Sequence, residues 1–315
     1  MILLTGASGV IGCELAPRLP QAQLMLARHR TRPDSSAQQI AIDIRDPKLG
    51  LTDEAYRVLA DEIETIIHCA AITDMSGQVP ELSATNISGV EHIVAFAKAA
   101  DANLHFVSTA YCSQTYGSAT PVASDYVASK RAAEQVVRES NLNWTILRPS
   151  IIAGHSETGQ IASFQGFHLF IATILKGRLP FMPVTRQTQC DFIPVDWVAA
   201  SIANIVEAPE WGRTYWLTSG ALALSVDQMM ITGTPFATAR GRDLEAVAML
   251  SPEQVEAEIL PTLRPRARER LSMLVNLSKV MMRRAPFPRD VPGVTAAGLE
   301  SAQLSNLAYW GAQTA

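Results

Sequence analysis

The stretch Met1–Leu15 restricts this chain more than any other. The apolar run Ile2–Leu4 is followed by glycines at 6, 9 and 12, and Val10, Ile11 and Leu15 then fall at helical spacing. This predicts a buried parallel strand that meets a glycine turn, and a turn that opens a helix. Such a joint exposes several backbone N–H groups at a helix N-terminus, where the helix dipole favours an anion. Gly6 allows the sharp turn, Gly9 lets a pyrophosphate approach the backbone, and Gly12 lets the helix sit close to the sheet. By itself the pattern is equally an ordinary strand–helix joint; the strand before it and the helix after it favour nucleotide binding.

The rest of the first half repeats the theme. Gln23–Arg28 reads as a second strand running into the basic cluster Arg28, His29, Arg30, Thr31, Arg32, with no acid until Asp34. In a dinucleotide fold this strand end meets the adenosine ribose. An acid there suits a free 2′-hydroxyl and an arginine suits a 2′-phosphate, so Arg28 and Arg30 favour NADP over NAD; a solvated basic loop is the alternative. A third strand is expected over Gln39–Ile42, a fourth over Thr65–His68 and a fifth over Leu104–Val107, with helices at Asp53–Asp61 and Ser83–Ala100 between them. The fourth ends in Cys69, Ala70 and Ala71, small enough to let a cofactor lie close, and the fifth ends in Ser108 and Thr109. The alternation means a doubly wound parallel α/β sheet, in which ligands sit at the carboxyl ends of the strands.

The helical run Asp125–Glu139 carries Tyr126 and Lys130, four residues apart and therefore on one face. A nearby ammonium and an oxidised nicotinamide are both expected to lower the phenol's pKa, so that Tyr126 can exchange a proton with a substrate oxygen near neutral pH. Thr109 is placed to hydrogen-bond the same oxygen.

These residues carry a family resemblance. The segment Thr5–Gly12, Asp43, His68–Ala71, Asn86 with Gly89, Ser108–Thr109, Tyr126 with Lys130, and Arg148–Ser150 are together similar to an extended short-chain dehydrogenase/reductase (SDR) with a Rossmann fold. The likeness covers residues 1 to about 155 most specifically. It implies that Tyr126 is the acid/base, that Lys130 binds the nicotinamide ribose and that Thr109 orients the carbonyl. It places Asp43 and Ile44 at the adenine and Asn86 behind the site. It also assigns Ser8, Val10, Ile11, Pro149 and Ile151 to the cofactor, with Gly6, Gly9, Gly12, Cys69, Ala70 and Ala71. The stretch between Thr109 and Tyr126 is short for the family. Within it the chain resembles the thioester reductase and fatty acyl reductase branch, through Leu26–Arg28, Ser108–Tyr111, Asp191–Ala199 and Ala308–Trp310; nucleotide-sugar epimerases also carry an equivalent of Phe192–Val198.

The whole chain has 315 residues, 48% of them hydrophobic, enough for one α/β domain and a smaller lobe. Residues 1–150 are expected to form the NADP-binding domain, with part of 185–220 returning to it. Residues 151–315 are expected to form most of a substrate lobe. There, Ile161–Leu179 is rich in Phe164, Phe167, Leu169, Phe170, Ile171, Ile174 and Leu175, which suits a pocket lining, a lid or a core helix. His155 and His168 are expected to be structural or surface residues. Helix starts are expected at Ser225 and at Ser251, the latter a capping box with Gln254. Segment 263–289 sets eight basic residues against Glu269 alone, with apolar Leu271, Leu274, Val275, Leu277, Met281 and Met282. It is read as a solvated helix packing through its apolar side, or as a contact for a membrane surface or an acyl carrier.

The net charge of −4, from 26 basic and 30 acidic residues, gives no case for nucleic acid. No apolar run has the length of a membrane span, and a strand beginning at Met1 is expected to leave no room for a signal peptide. Cys13, Cys69, Cys112 and Cys190 are expected as free thiols, with no disulfide framework and no metal site. The expected setting is the cytoplasm, and the reading leaves room for a homodimer. Together these readings describe an NADPH-dependent oxidoreductase acting on an acyl thioester, CoA- or carrier-bound, or its aldehyde. The alternatives are a nucleotide-sugar epimerase or dehydratase and a non-catalytic NADP sensor.

Overall fold

The computed structural model describes residues 1–29, 35–73, 79–115, 125–165, 168, 171–172, 175–176, 180–283 and 285–314. The chain divides into two compact units. The first holds Met1–Cys112, Asp125–Pro149 and Asp196–Leu217; the second holds Ser113–Ser124, Ser150–Val195 and Thr218–Ala315.

The strands of the first unit are β1 (Ile2–Thr5), β2 (Leu24–Arg28), β3 (Gln38–Ala41), β4 (Thr65–His68), β5 (Asn103–Val107), β6 (Trp144–Pro149) and β11 (Arg213–Leu217). They form one sheet in the order β11-β6-β5-β4-β1-β2-β3, and every pair is parallel. The chain steps outward from β1 through β2 to β3, then returns to lay β4 on the other flank of β1. The order therefore reverses between β1 and β4, the topological switch where an open α/β sheet leaves a ligand crevice. The fold is the expected doubly wound Rossmann sheet.

Near-continuous apolar strands are what a sheet covered on both faces requires. Leu3, Ile66, Leu104, Phe106 and Ile146 are fully buried, and they join Ile93 and Phe96 of α4 (Gly89–Ala99) and Val137 of α5 (Asp125–Arg138) in one core. The helix α1 (Val10–Leu15) follows the glycine turn, and α2 (Asp53–Glu62) is capped by Thr52, whose side chain accepts from the Ala55 N–H. The expected helix over Ser83–Ala100 is in fact three pieces: α3 (Val79–Ser83), a π-helical turn over Ala84–Ser88, and α4. The wider turn carries the buried Asn86.

In the second unit β7 (Ile151–Ala153) pairs in parallel with β10 (Phe192–Pro194). Two short pairs join β8 (Phe181–Met182) to β13 (Ala248–Met249) and β9 (Gln189–Cys190) to β12 (Leu224–Ser225). The helix α6 (Val195–Glu207) leads back to the first unit. Both expected helix starts are capping boxes: Ser225 with Gln228 opens α7 (Val226–Thr238), and Ser251 with Gln254 opens a short turn. The helices α8 (Pro265–Met281) and α9 (Ala296–Gln313) complete the unit. His168 is buried in it, with Nε2 3.1 Å from Asn306 Oδ1. Of the apolar run 161–179, Phe167, Leu169, Phe170 and Ile174 lie outside the described residues.

Segment 263–289 is less of a free basic surface than its sequence suggests. α8 buries Leu271, Val275, Val280 and Met281. Lys279 pairs with Glu256, and Arg268 donates to the carbonyls of Leu260, Pro261 and Leu263. Arg283, 4% exposed, pairs at 2.9 Å with the wholly buried Asp191, which also accepts from the Ser219 and Gly220 N–H groups. Acids far away in sequence thus pair with Lys279 and Arg283, which a local count does not register, while Arg264, Arg266 and Arg270 are exposed. Arg284 lies outside the described residues. No described helix is long and apolar enough to cross a membrane.

Candidate active site

The glycine turn sits at the β1/β4 switch. Gly6 has φ of +70°, and a Cβ there would lie 2.7 Å from the backbone of Cys69 and Ala70. A Cβ on Gly12 would lie 2.2 Å from the Gly6 carbonyl oxygen. These two positions are closed to any side chain, and the turn is as tight as the sequence predicts. Gly9 is the N-cap of α1 and no side chain caps it. The first helical bond runs from the Cys13 N–H to Gly9 O, 3.0 Å, which leaves the N–H groups of Val10, Ile11 and Gly12 as the helix's unfilled donors. Ser8 and Gly9 are exposed, and Val10 and Ile11 are half-buried. A pyrophosphate fits this cradle.

Around the turn, Thr5 Oγ1 accepts from the Ala70 N–H at 3.2 Å and lies 2.7 Å from His68 Nδ1. Cys69, Ala70 and Ala71 are half-buried, as a strand end that faces a ligand should be. Burial pushes the Cys69 thiol up to about 12 and holds the His68 imidazole down at about 3, with the Lys130 ammonium adding to the latter. Both are neutral at physiological pH.

At the adenosine end Arg28 closes β2 on an exposed face; Arg30 lies outside the described residues. Arg45, which sequence reasoning missed, grips Asp43 through Nε at 2.9 Å, and His29 Nε2 stands 3.1 Å from the same carboxylate. The Arg45 guanidinium holds the Asp43 carboxyl well below the usual carboxylate range. Ile44 packs its side chain in the core against Gly89, and its carbonyl lies 2.8 Å from His92 Nδ1.

The chemical groups converge from α5 and the β5 end. Lys130 is 2% exposed; its Nζ donates to Val107 O at 2.7 Å and stands 4.3 Å over the Phe106 ring. Burial pulls its pKa down to about 8. Thr109, two residues past Val107, is 6% exposed and its hydroxyl donates to Pro149 O at 3.5 Å. Asn86 braces the helix: Oδ1 accepts from Ile72 N–H, and Nδ2 donates to Ile72 O and, at 3.0 Å, to Ser129 Oγ. Ser129 in turn donates to Tyr126 O at 2.8 Å. Asn86 therefore reaches the tyrosine's main chain in two bonds. Burial raises the Tyr126 phenol above its ordinary value, and the Cys112 thiol adds to the shift.

A polar knot behind these groups was also missed in the sequence. Glu134, 4% exposed, accepts two bonds from Arg148, at 2.8 and 2.6 Å, one from the Cys112 thiol at 3.1 Å and one from Arg138 Nη2 at 3.3 Å. Its one sequence signal is its place four residues beyond Lys130, an acid on the buried face of α5. Ile151 belongs to the second unit. Among the described residues no cluster of His, Cys, Asp and Glu is arranged to hold a metal.

A family model described as male sterility protein, of an NAD-binding kind, matches residues 21–202. The chain is 30% identical over 229 residues to the hybrid PKS-NRPS synthetase pvhA of Talaromyces variabilis, a match covering 65% of this chain and 6% of that protein. It thus spans a small part of that large relative. A ceramide reductase of Caulobacter vibrioides is 28% identical over 217 residues, covering 67% of this chain and 62% of its own. Among solved structures, the terminal R domain from the myxalamid PKS-NRPS biosynthetic pathway shares the fold at a TM-score of 0.76 and 23% identity, over 100% of this chain and 92% of that one.

Proposed function

The chain belongs to the male sterility protein family, and from that premise we propose that it is an extended SDR of the thioester-reductase branch, an NADPH-dependent reductase of a carbonyl substrate. The substrate class is an acyl thioester on CoA or an acyl carrier, or the aldehyde derived from it. The observation that carries the reading is the buried Lys130 ammonium, fixed on Val107 O at the end of β5 and on the same helix as Tyr126. A lysine kept out of water at a strand end of a nucleotide-binding sheet is placed for a ligand.

The cofactor, when bound, supplies the hydride. Gly6, Gly9 and Gly12 with the first turn of α1 hold its pyrophosphate, Cys69–Ala71 let it lie close to the sheet, and Lys130 binds its ribose. Arg28 favours the 2′-phosphate of NADP. Asp43 is engaged by Arg45 and His29, so it competes poorly for the free 2′-hydroxyl of NAD.

The substrate oxygen is held by the hydroxyls of Thr109 and Tyr126, which meet the negative charge that develops there. A phenol with a raised pKa is protonated at neutral pH, the form a proton donor needs. With an aldehyde, Tyr126 delivers that proton and an alcohol forms. With a thioester, the addition product expels the thiol and leaves the aldehyde. The test is NADPH oxidation against a panel of acyl-CoA chain lengths, carrier-bound acyl groups, aldehydes and UDP-sugars, repeated with NADH. Turnover on the thioesters or aldehydes with NADPH preferred is expected; an unreactive panel overturns the reading.

A further inference from the structure

The Glu134 carboxylate touches every segment on which the proposed chemistry depends. It stands on α5, one turn beyond Lys130 and two beyond Tyr126. Arg148 Nε and Nη2 clamp it from β6, and the next residue, Pro149, offers the carbonyl that the Thr109 hydroxyl donates to. The Cys112 thiol meets it from the turn after β5. That thiol is also 3.1 Å from Thr109 O, and the Cys112 N–H donates to the same carbonyl. Arg131, again from α5, donates to Cys112 O at 3.0 Å. Helix, strand end and Thr109 turn are thus pinned to one buried anion. A buried ion pair is weak evidence for stability, because desolvation offsets most of its attraction. What it fixes well is geometry: the bidentate guanidinium fork allows one arrangement only.

We propose that Glu134 is a positioning residue for the reaction: through Arg148 and Cys112 it sets the Thr109 hydroxyl against the face of α5 that carries Tyr126 and Lys130. This rests on the reductase reading. Its carboxylate also acts electrostatically on Lys130. That ammonium is faced by His68 and Cys69 from the end of β4, by Cys112 from the turn after β5 and by Glu134 from its own helix. Among these Glu134 is the resident anion. Neutralising it removes a favourable neighbour and leaves the Arg148 charge uncancelled, and both changes make the Lys130 proton easier to lose.

The full-length protein is compared with E134Q, which keeps the shape and loses the charge, and E134D, which keeps the charge and withdraws it by one methylene. With NADPH and the carbonyl substrate that the wild type turns over fastest, both variants should lose about tenfold or more in kcat, with the KM for NADPH within about threefold. E134Q should move the alkaline limb of the kcat profile to lower pH, and E134D should return it toward the wild-type position. Lysine-13Cε NMR without cofactor should show the Lys130 titration midpoint lower in E134Q than in the wild type. Folded variants with wild-type kcat overturn the proposal, whatever their melting temperature, because the role is then structural. A wild type that reduces nothing on the panel removes the reductase reading instead. The Lys130 midpoint then decides: a shift in E134Q supports the link from Glu134 to the site, and no shift overturns it. If E134Q does not fold, E134D is judged by the same two measurements.

Discussion

Lys130 sits where a lysine destabilises the fold. Holding its pKa near 8 rather than 10.5 disfavours the charged form by roughly 3 kcal/mol at neutral pH. Lys130→Met should therefore raise stability by about 2 kcal/mol, after roughly 1 kcal/mol is deducted for the donor lost by Val107 O. Chemical denaturation should show the gain, and the same variant should have no measurable turnover. Tyr126→Phe is expected to lower kcat by about 100-fold or more while the NADPH dissociation constant, read by fluorescence titration, stays within about twofold. Both residues are legible in the sequence because a helix repeats its face every four residues. The bonds that tie Glu134 to Arg148 and Cys112 are not, since they span 14 and 22 positions and no local spacing announces them.

Among the elements, the glycines divide by what surrounds them. Gly12→Ala would drive a methyl into the Gly6 carbonyl, so cofactor binding should be lost together with several degrees of melting temperature. Gly233, inside α7, is the opposite case. An added Cβ would meet Gln303, Leu307 and Leu244 at 3.6–3.8 Å, ordinary contact distances, beside a small apolar cavity. Gly233→Ala should thus stabilise by about 0.5–1 kcal/mol, as read from the urea midpoint, with kcat unaltered. The first five strands and the Ser251 capping box are legible to within a residue or two, because apolar runs and Ser-x-x-Gln spacing are local signals; the two- and three-residue strands of the second unit carry no such signal. The π-helical turn was not foreseen. It carries Asn86, whose amide bonds reach Ile72 and Ser129, 14 and 43 positions away, so no local spacing announces it.

For the molecule as a whole, His68, His105 and His168 are buried and neutral, with pKa values drawn down to about 3, 4 and 4. Each titrates near 6.5 once unfolded, so between about pH 6.5 and 4 the unfolded chain binds the extra protons. Stability from these sites is full above that window and declines as pH falls through it, by about 1.4 kcal/mol per pH unit for each histidine. Urea midpoints at pH 7 and pH 5 should differ accordingly; equal midpoints would mean the imidazoles are wet. The sequence showed one lobe followed by another, with part of 185–220 returning to the first. The structure shows what the return supplies: β11 completes the sheet against β6, register Thr145 to Arg213 through Pro149 to Leu217, and Trp216 lies under the Arg148 guanidinium. On the ribosome, then, the amino-terminal half waits. Its outermost strand emerges roughly sixty residues after β6, a delay of about 3–12 s at ordinary elongation rates, during which the β6 edge stays unpaired and open to any nascent strand nearby. A fragment ending at residue 155 should therefore aggregate on expression, and a synthetic peptide spanning 209–219 should improve its recovery.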